Sequence, residues 1–268
     1  MPELPEVEVT ARAVSRSFLN KKLNYVEIFN RNLRWPVPSD VQKLNGLSLT
    51  NVSRRAKFIK FEFEHKQLLC HLGMSGSFRN VRRGFKKLKH DHVLFKFSRD
   101  FLCYNDPRRF GLILWTDSYR AQSLLSRLGV EPFSEHFSGM YLKQAAKKRR
   151  LSVKAFLMHQ SVVVGVGNIY ASEALFAAGI TPQRRCDRIS LDRYNILTEK
   201  VKLILLKAIN AGGTTIADFH SGNGSAGNFQ QDLLVYGLDG EPCRACGNIL
   251  KKVILSGRSS YFCRNCQS

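Results

Sequence analysis

Apolar and polar residues alternate along this chain with two different periods, and the change of period divides it into segments. At the start Val7, Ala11, Val14 and Phe18 recur every three or four positions, which predicts an amphipathic helix with one apolar face. From residue 23 to about 115 the pattern shortens. Tyr25–Phe29, Lys57–Glu64, Gln67–Leu72, His92–Phe97, Phe101–Tyr104 and Gly111–Trp115 are rich in aromatic and β-branched residues. In one of these runs Ile59, Phe61 and Phe63 alternate with Lys60, Glu62 and Glu64, as in a strand with one wet face. Such a series of short strands predicts a β-sandwich or barrel-like domain against which the first helix packs. Residues 117 to 149 read as a hinge with a short helix, followed by helices over about Ser152–His159 and Ala171–Ala178. A long amphipathic helix is expected from Leu191 to Asn210, burying Ile196, Leu197, Val201, Ile204, Leu205 and Ala208.

The connections carry unusual residues. Arg54-Arg55-Ala56-Lys57 places three cations at a strand entrance, where they can meet phosphates. His71-Leu72-Gly73-Met74-Ser75-Gly76 lifts the flexible side chain of Met74 on a glycine-flanked turn, and Asn105-Asp106-Pro107-Arg108-Arg109-Phe110-Gly111 presents two arginines and an aromatic. An apolar wedge beside an arginine suits a protein that replaces an extruded base; a core-packed Met74 and Phe110 would be the plainer outcome. Lys86, Lys87, Lys89, His90 and His92 add a basic loop, and Lys147-Lys148-Arg149-Arg150 a cationic run of the kind that usually forms a solvated face. Gly165, Gly167 and Asn168 precede a helix and form a backbone nest for one phosphate oxygen, without the third glycine of a dinucleotide fingerprint. The stretch Ser221–Gly227 is glycine-rich, either a lid over a site or a surface loop.

Near the C-terminus Cys243-x2-Cys246 and Cys263-x2-Cys266 bracket sixteen residues. Four thiolates at this spacing predict a structural zinc ribbon, with Ile249–Leu255 and Arg258–Phe262 as its hairpin. Cys70, Cys103 and Cys186 are then reduced thiols, which points to a reducing compartment.

Composition changes the picture once. The 268 residues include 42 Lys and Arg against 21 Asp and Glu, a formal charge of +21. That surplus calls for a polyanion, most simply nucleic acid. No apolar run approaches the ~20 residues of a membrane span, and the acidic N-terminus lacks a secretory signal's charge and apolar core.

The first eight residues, Met1-Pro2-Glu3-Leu4-Pro5-Glu6-Val7-Glu8, supply the reactive group. Removal of Met1 would expose the secondary amine of Pro2, which can attack an electrophilic sugar carbon and form an iminium ion. Pro2 is suited to a first helical turn, where the positive helix end disfavours protonation of the amine. Glu3 and Glu6 share one face there, one as proton shuttle and the other as partner of the amine, unless both merely complement the helix dipole.

Taken in order, PELPEVE, RRAK, HLGMSG, KHDH, DPRRFG, VVGVGNIYASE and the cysteine ribbon resemble the bacterial formamidopyrimidine-DNA glycosylases, the 8-oxoguanine glycosylases of the helix–two-turn–helix superfamily, over essentially the whole length. The resemblance implies an α+β fold: an N-terminal β-sandwich with flanking helix (2–130), a hinge (131–150), a helix–two-turn–helix domain with a lesion-recognition loop (151–235) and a zinc finger (236–268). It implies Pro2 as nucleophile, Glu3 as acid/base, Glu6 as support for the amine, Lys57 in β-elimination and Arg258 in δ-elimination. Met74, Arg108 and Phe110 correspond to the residues that fill the void of the everted base. His71, His90, Arg150, Lys154, Asn168 and Tyr236 correspond to backbone contacts, and 214–230 to the loop that closes over the oxidised base. One structural zinc, a monomer acting on double-stranded DNA with oxidised purines or abasic sites, no membrane and a cytoplasmic, nucleoid-associated location complete what the resemblance implies. Leu238 stands where the family commonly has arginine, and Asn228 precedes Phe229 where it often has an aromatic. A sister glycosylase for oxidised pyrimidines and a non-catalytic zinc-dependent DNA-binding protein are the alternatives.

Overall fold

A computed structural model describes residues 1–82, 84–214 and 229–268. The chain divides into two compact units. One takes Met1–Ser126 and the segment that begins at Ala211; the other takes Arg127–Asn210 and Phe229–Ser268.

In the first unit helix α1 (Leu4–Phe18) is followed by strands β1 (Leu23–Ile28), β2 (Leu49–Arg55), β3 (Phe58–Phe63), β4 (Lys66–His71), β5 (Ser77–Arg82), β6 (Asp91–Phe97), β7 (Asp100–Asn105) and β8 (Leu112–Trp115). A short helix, α2 (Tyr119–Leu125), ends the run. The strands form two antiparallel four-stranded sheets, ordered β1-β6-β7-β5 and β2-β3-β4-β8. One core joins them: Phe61 of β3 meets Phe78 of β5 at 5.3 Å between ring centroids, and Phe63 meets Phe97 at 6.4 Å. The predicted apolar face of α1 packs into the same core, with Phe18 4.8 Å from Phe97. The sandwich is therefore as expected, with two strands more than the sequence pattern disclosed. Both β2 and β5 are edge strands with polar residues, and a strand half bonded to water loses the alternation that marks it.

The second unit holds α3 (Gly139–Ala146), α4 (Val153–Leu157), α5 (Asn168–Ala177), α6 (Leu191–Asn210) and a hairpin of β9 (Lys251–Leu255) and β10 (Arg258–Phe262). Helix α5 is central, buried from Ile169 through Leu175 and packed by α4, α6 and β10. Residues 117–149 thus carry two helices, α2 and α3, each capped by a serine at the position before its first residue. Helix α6 has the expected bounds but a rotated face. Tyr194, Leu197, Thr198, Val201, Leu205, Ala208 and Ile209 are buried, while Ile196 is 45% exposed. Tyr194 claims the inward position because its hydroxyl donates to the Cys186 carbonyl at 2.7 Å. No described helix is long and apolar enough to cross a membrane.

Candidate active site

In the first unit the site begins one residue before α1. Glu3 is the N-cap, Leu4 and Pro5 open the helix, and Pro2 lies just outside it rather than in the first turn. Pro2, Glu3 and Glu6 are all buried. A capping box fixes them: the Glu3 side chain accepts from the Glu6 amide, and Glu6 Oε2 accepts from the Glu3 amide at 2.8 Å. The other oxygen of Glu6 accepts the amide and the hydroxyl of Thr214, each at 2.9 Å. Glu6 is thus committed to holding backbone beside Pro2, and the position-by-position roles of the two carboxylates are unequal. Thr214 is the first residue of the predicted 214–230 loop, of which residues 215–228, with Asn228, lie outside the described residues.

Lys57 is 7% exposed in the turn between β2 and β3, where Ala56 takes a left-handed φ of +55°. A relay of Glu8, Arg54 and the Ala56 carbonyl, both bonds 2.9 Å, ties this turn to α1. Arg54 is therefore an internal strut, not one of three cations waiting for phosphate. Strand register sets His71 of β4 opposite Phe58, their rings 4.9 Å apart. The Gly73 amide donates to His71 Nδ1 at 2.9 Å. Burial, reinforced by the charges of Lys57 and Arg34, lowers the His71 pKa to about 4, so the ring is neutral with its proton on Nε2.

The loops between β4 and β5 and between β7 and β8 meet. Met74 is 36% exposed and Phe110 47%, and the Arg108 guanidinium stacks 4.9 Å from the Phe110 ring. Neither apolar side chain is core, so the plainer outcome for this pair fails. Their backbones touch: a Cβ on Gly73 would lie 2.5 Å from the Gly111 nitrogen, so no larger residue fits. His90 is exposed with a φ of +69°, and its carbonyl accepts the Asp106 amide at 3.1 Å.

In the second unit Lys154 is 1% exposed. Its Nζ donates to Asn168 Oδ1 at 2.6 Å, to the Ser259 carbonyl at 2.8 Å and to Ser260 Oγ at 2.8 Å. Asn168 Nδ2 in turn donates to Tyr236 Oη at 3.4 Å, and Tyr236 packs edge-on against Tyr261 of the hairpin. Arg258 opens β10, exposed, immediately after the tip residues Ser256 and Gly257, both of positive φ. Arg150 is exposed at the end of the cationic run. Sequence reasoning gave no role to Glu173, whose buried carboxylate accepts the amides of Leu234, Val235 and Tyr236 at 2.8–3.0 Å. Burial raises its pKa against those three bonds. Nothing in a helix interior advertises such a long-range backbone clamp.

The sulfurs of Cys243, Cys246, Cys263 and Cys266 all lie within 4.8 Å of one another, with Cys243–Cys266 at 3.9 Å and Cys246–Cys263 at 3.5 Å. Tetrahedral Zn–S bonds of about 2.3 Å require sulfur separations of about 3.8 Å. The cluster fits a structural zinc. Leu238, the departure noted above, packs against the hairpin's small core with Val235, Leu250 and Phe176.

Three family models match consecutive parts of the chain: the formamidopyrimidine-DNA glycosylase N-terminal domain over residues 1–113, the formamidopyrimidine-DNA glycosylase H2TH domain over 128–220, and the zinc finger found in FPG and IleRS over 240–268. The formamidopyrimidine-DNA glycosylases of Stutzerimonas stutzeri and Hahella chejuensis are 47% and 48% identical to it, each alignment covering 100% of both chains. Among solved structures, a Lactococcus lactis Fpg mutant bound to Fapy-dG-containing DNA superposes with a TM-score of 0.91 at 33% identity, covering 99% of each chain. The Lactococcus lactis enzyme with abasic-site DNA gives 0.90 at 32%, also covering 99% of each. Full-length identity and three family domains in order show that the chain belongs to the formamidopyrimidine-DNA glycosylase family.

Proposed function

We propose that the protein is a bifunctional DNA glycosylase and abasic-site lyase of base excision repair, acting on oxidised purines such as 8-oxoguanine and formamidopyrimidines. Once Met1 is removed, the Pro2 nitrogen attacks C1′ of the everted nucleotide. The glycosidic bond breaks, the base departs and an iminium ion remains. Glu3 protonates the opening sugar, while Glu6 holds the backbone beside the amine. Burial of Pro2 favours the uncharged amine. The iminium then acts as electron sink: loss of a proton from C2′ expels the 3′ phosphate, with Lys57 assigned to this step. A second elimination expels the 5′ phosphate, with Arg258 gripping it, and leaves a one-nucleotide gap with phosphate at both ends. Met74, Arg108 and Phe110 enter the stack as the base leaves, offsetting the few kcal/mol of unstacking. His71, His90, Arg150, Lys154, Asn168 and Tyr236 serve the backbone grip. Zinc holds the hairpin and takes no part in the chemistry. A cytoplasmic, nucleoid-associated location follows from the substrate.

The observation that carries this reading is the capping box that buries Glu3 and Glu6 against the peptide adjoining Pro2. Borohydride reduction tests it. Native protein mixed with a duplex holding 8-oxoguanine opposite cytosine should yield a covalent adduct on the Pro2 peptide, and protein blocked at Pro2 by a peptide tag should yield none. An adduct with blocked protein overturns the nucleophile; no adduct with either leaves a non-catalytic DNA-binding protein.

A second reading concerns the lesion. The Lactococcus lactis enzyme has also been solved with DNA containing an oxidised pyrimidine, at a TM-score of 0.89. Leu4 and the Arg108–Phe110 pair favour purines. Faster excision of thymine glycol opposite adenine than of 8-oxoguanine opposite cytosine would reverse that choice.

A further inference from the structure

We propose that the Ser75 hydroxyl is the joint that holds the two wedge-bearing loops as one rigid unit, making Ser75 a positioning residue for base eversion. The proposal rests on the reading of Met74, Arg108 and Phe110 as the wedge. Ser75 is 3% exposed and Asp106 fully buried, so neither touches a substrate. The Ser75 hydroxyl donates to Asp106 Oδ1 at 2.7 Å and accepts the Arg108 amide at 3.2 Å. One side chain therefore joins the residue after Met74 to the backbone of Arg108. Asp106 completes the connection through its other oxygen, which accepts the Gly111 amide at 2.8 Å on the far side of Phe110. Tyr104, buried beneath, donates to that same oxygen at 3.4 Å.

The arrangement has a physical purpose. Met74 and Phe110 belong to separate connections that cross between the two sheets, β4 to β5 and β7 to β8, more than thirty residues apart, and both are held outside the core. Exposed apolar side chains on independent loops would sample many relative positions, and freezing them at the moment of insertion would cost conformational entropy. A buried hydroxyl–carboxylate pair removes that freedom during folding. The close approach of Gly73 to Gly111 brings the loops together, and Ser75 fixes their register.

Replacement of Ser75 tests this. S75A takes one partner each from Asp106 Oδ1 and the Arg108 amide, leaving them only their 3.3 Å bond to each other, and S75C keeps a weaker partner at similar size. Single-turnover excision of 8-oxoguanine from a duplex, which needs the wedge, should fall about tenfold in S75A, the scale of one lost hydrogen bond to a charged group. S75C should lie between S75A and native. Cleavage at a preformed abasic site in single-stranded DNA needs no wedge and should stay within about twofold of native, which also reports that the variants fold. Added to M74A/F110A, S75A should cause no further loss. Equal loss on both substrates, no loss on the duplex, or additivity with M74A/F110A would overturn the joint while leaving the wedge intact. If M74A/F110A itself excises as fast as native, the wedge reading fails, and the joint with it.

Discussion

At His71 a backbone amide fills one ring nitrogen, and burial beside Lys57 and Arg34 brings the pKa down to about 4 from an ordinary 6.5. The unfolded chain therefore takes up this proton first as pH falls. The stability that His71 contributes is complete above pH 6.5 and is lost as pH drops toward 4. Urea unfolding at pH 7 and pH 5 should show a larger loss for native protein than for H71N; equal losses would mean that His71 titrates normally in the folded protein. Its neighbours show how far single residues can be read. The pairing of Glu3 with Glu6 at the start of α1 was legible because it depends on sequence-local spacing. Ser75, Asp106 and Glu173 lay inside these motifs yet received no role, because Ser75 and Asp106 bond each other across thirty-one positions and Glu173 accepts backbone amides more than sixty residues on. A residue's type discloses what it can bond, not which distant amide the fold will deliver.

Among the elements, the zinc hairpin and the start of α5 are joined by Lys154, whose three donors are met by Asn168, Ser259 and Ser260. In the proposed DNA grip a lysine so enclosed acts through Asn168 and the hairpin rather than by its own charge. K154M should weaken binding to a duplex with an abasic-site analogue by about tenfold or more, yet leave the slope of log K against log salt unchanged. A slope shallower by about 0.9 would instead mark a direct phosphate contact. Element boundaries were legible where burial is one-sided: α1 and β3 follow their apolar periods, and α6 keeps the expected bounds. The edge strands β2 and β5 were not, since half their backbone faces no neighbour and their side chains obey solvent. In α6 the tyrosine at 194 outranked the isoleucine at 196 for the inward face, a contest that hydropathy alone scores the wrong way.

For the molecule as a whole, a charge of +21 gives salt-sensitive affinity for any duplex, while the two units distribute the specific tasks. The hairpin has a core of only Val235, Cys243, Leu250 and Cys263 with a few flanking side chains, too little to fold without its metal. Chelation should therefore abolish duplex binding while the sandwich keeps its own thermal transition. Binding that survives complete zinc removal, verified by metal analysis, would contradict this. The overall class was legible from the order of motifs and from the cysteine spacing. The return of the chain after α6 to place Thr214 against Glu6 was not, because no local pattern encodes a contact across more than two hundred residues.

Placement of the seven cysteines has its own consequence. Cys70, Cys103 and Cys186 are buried, and burial keeps each thiol protonated, which makes them poor targets for peroxide. Cys246 is exposed. Under the very stress that damages guanine, corrosion would start at the ribbon's rim and spare the sandwich. The protein would let go of DNA before its first unit was harmed.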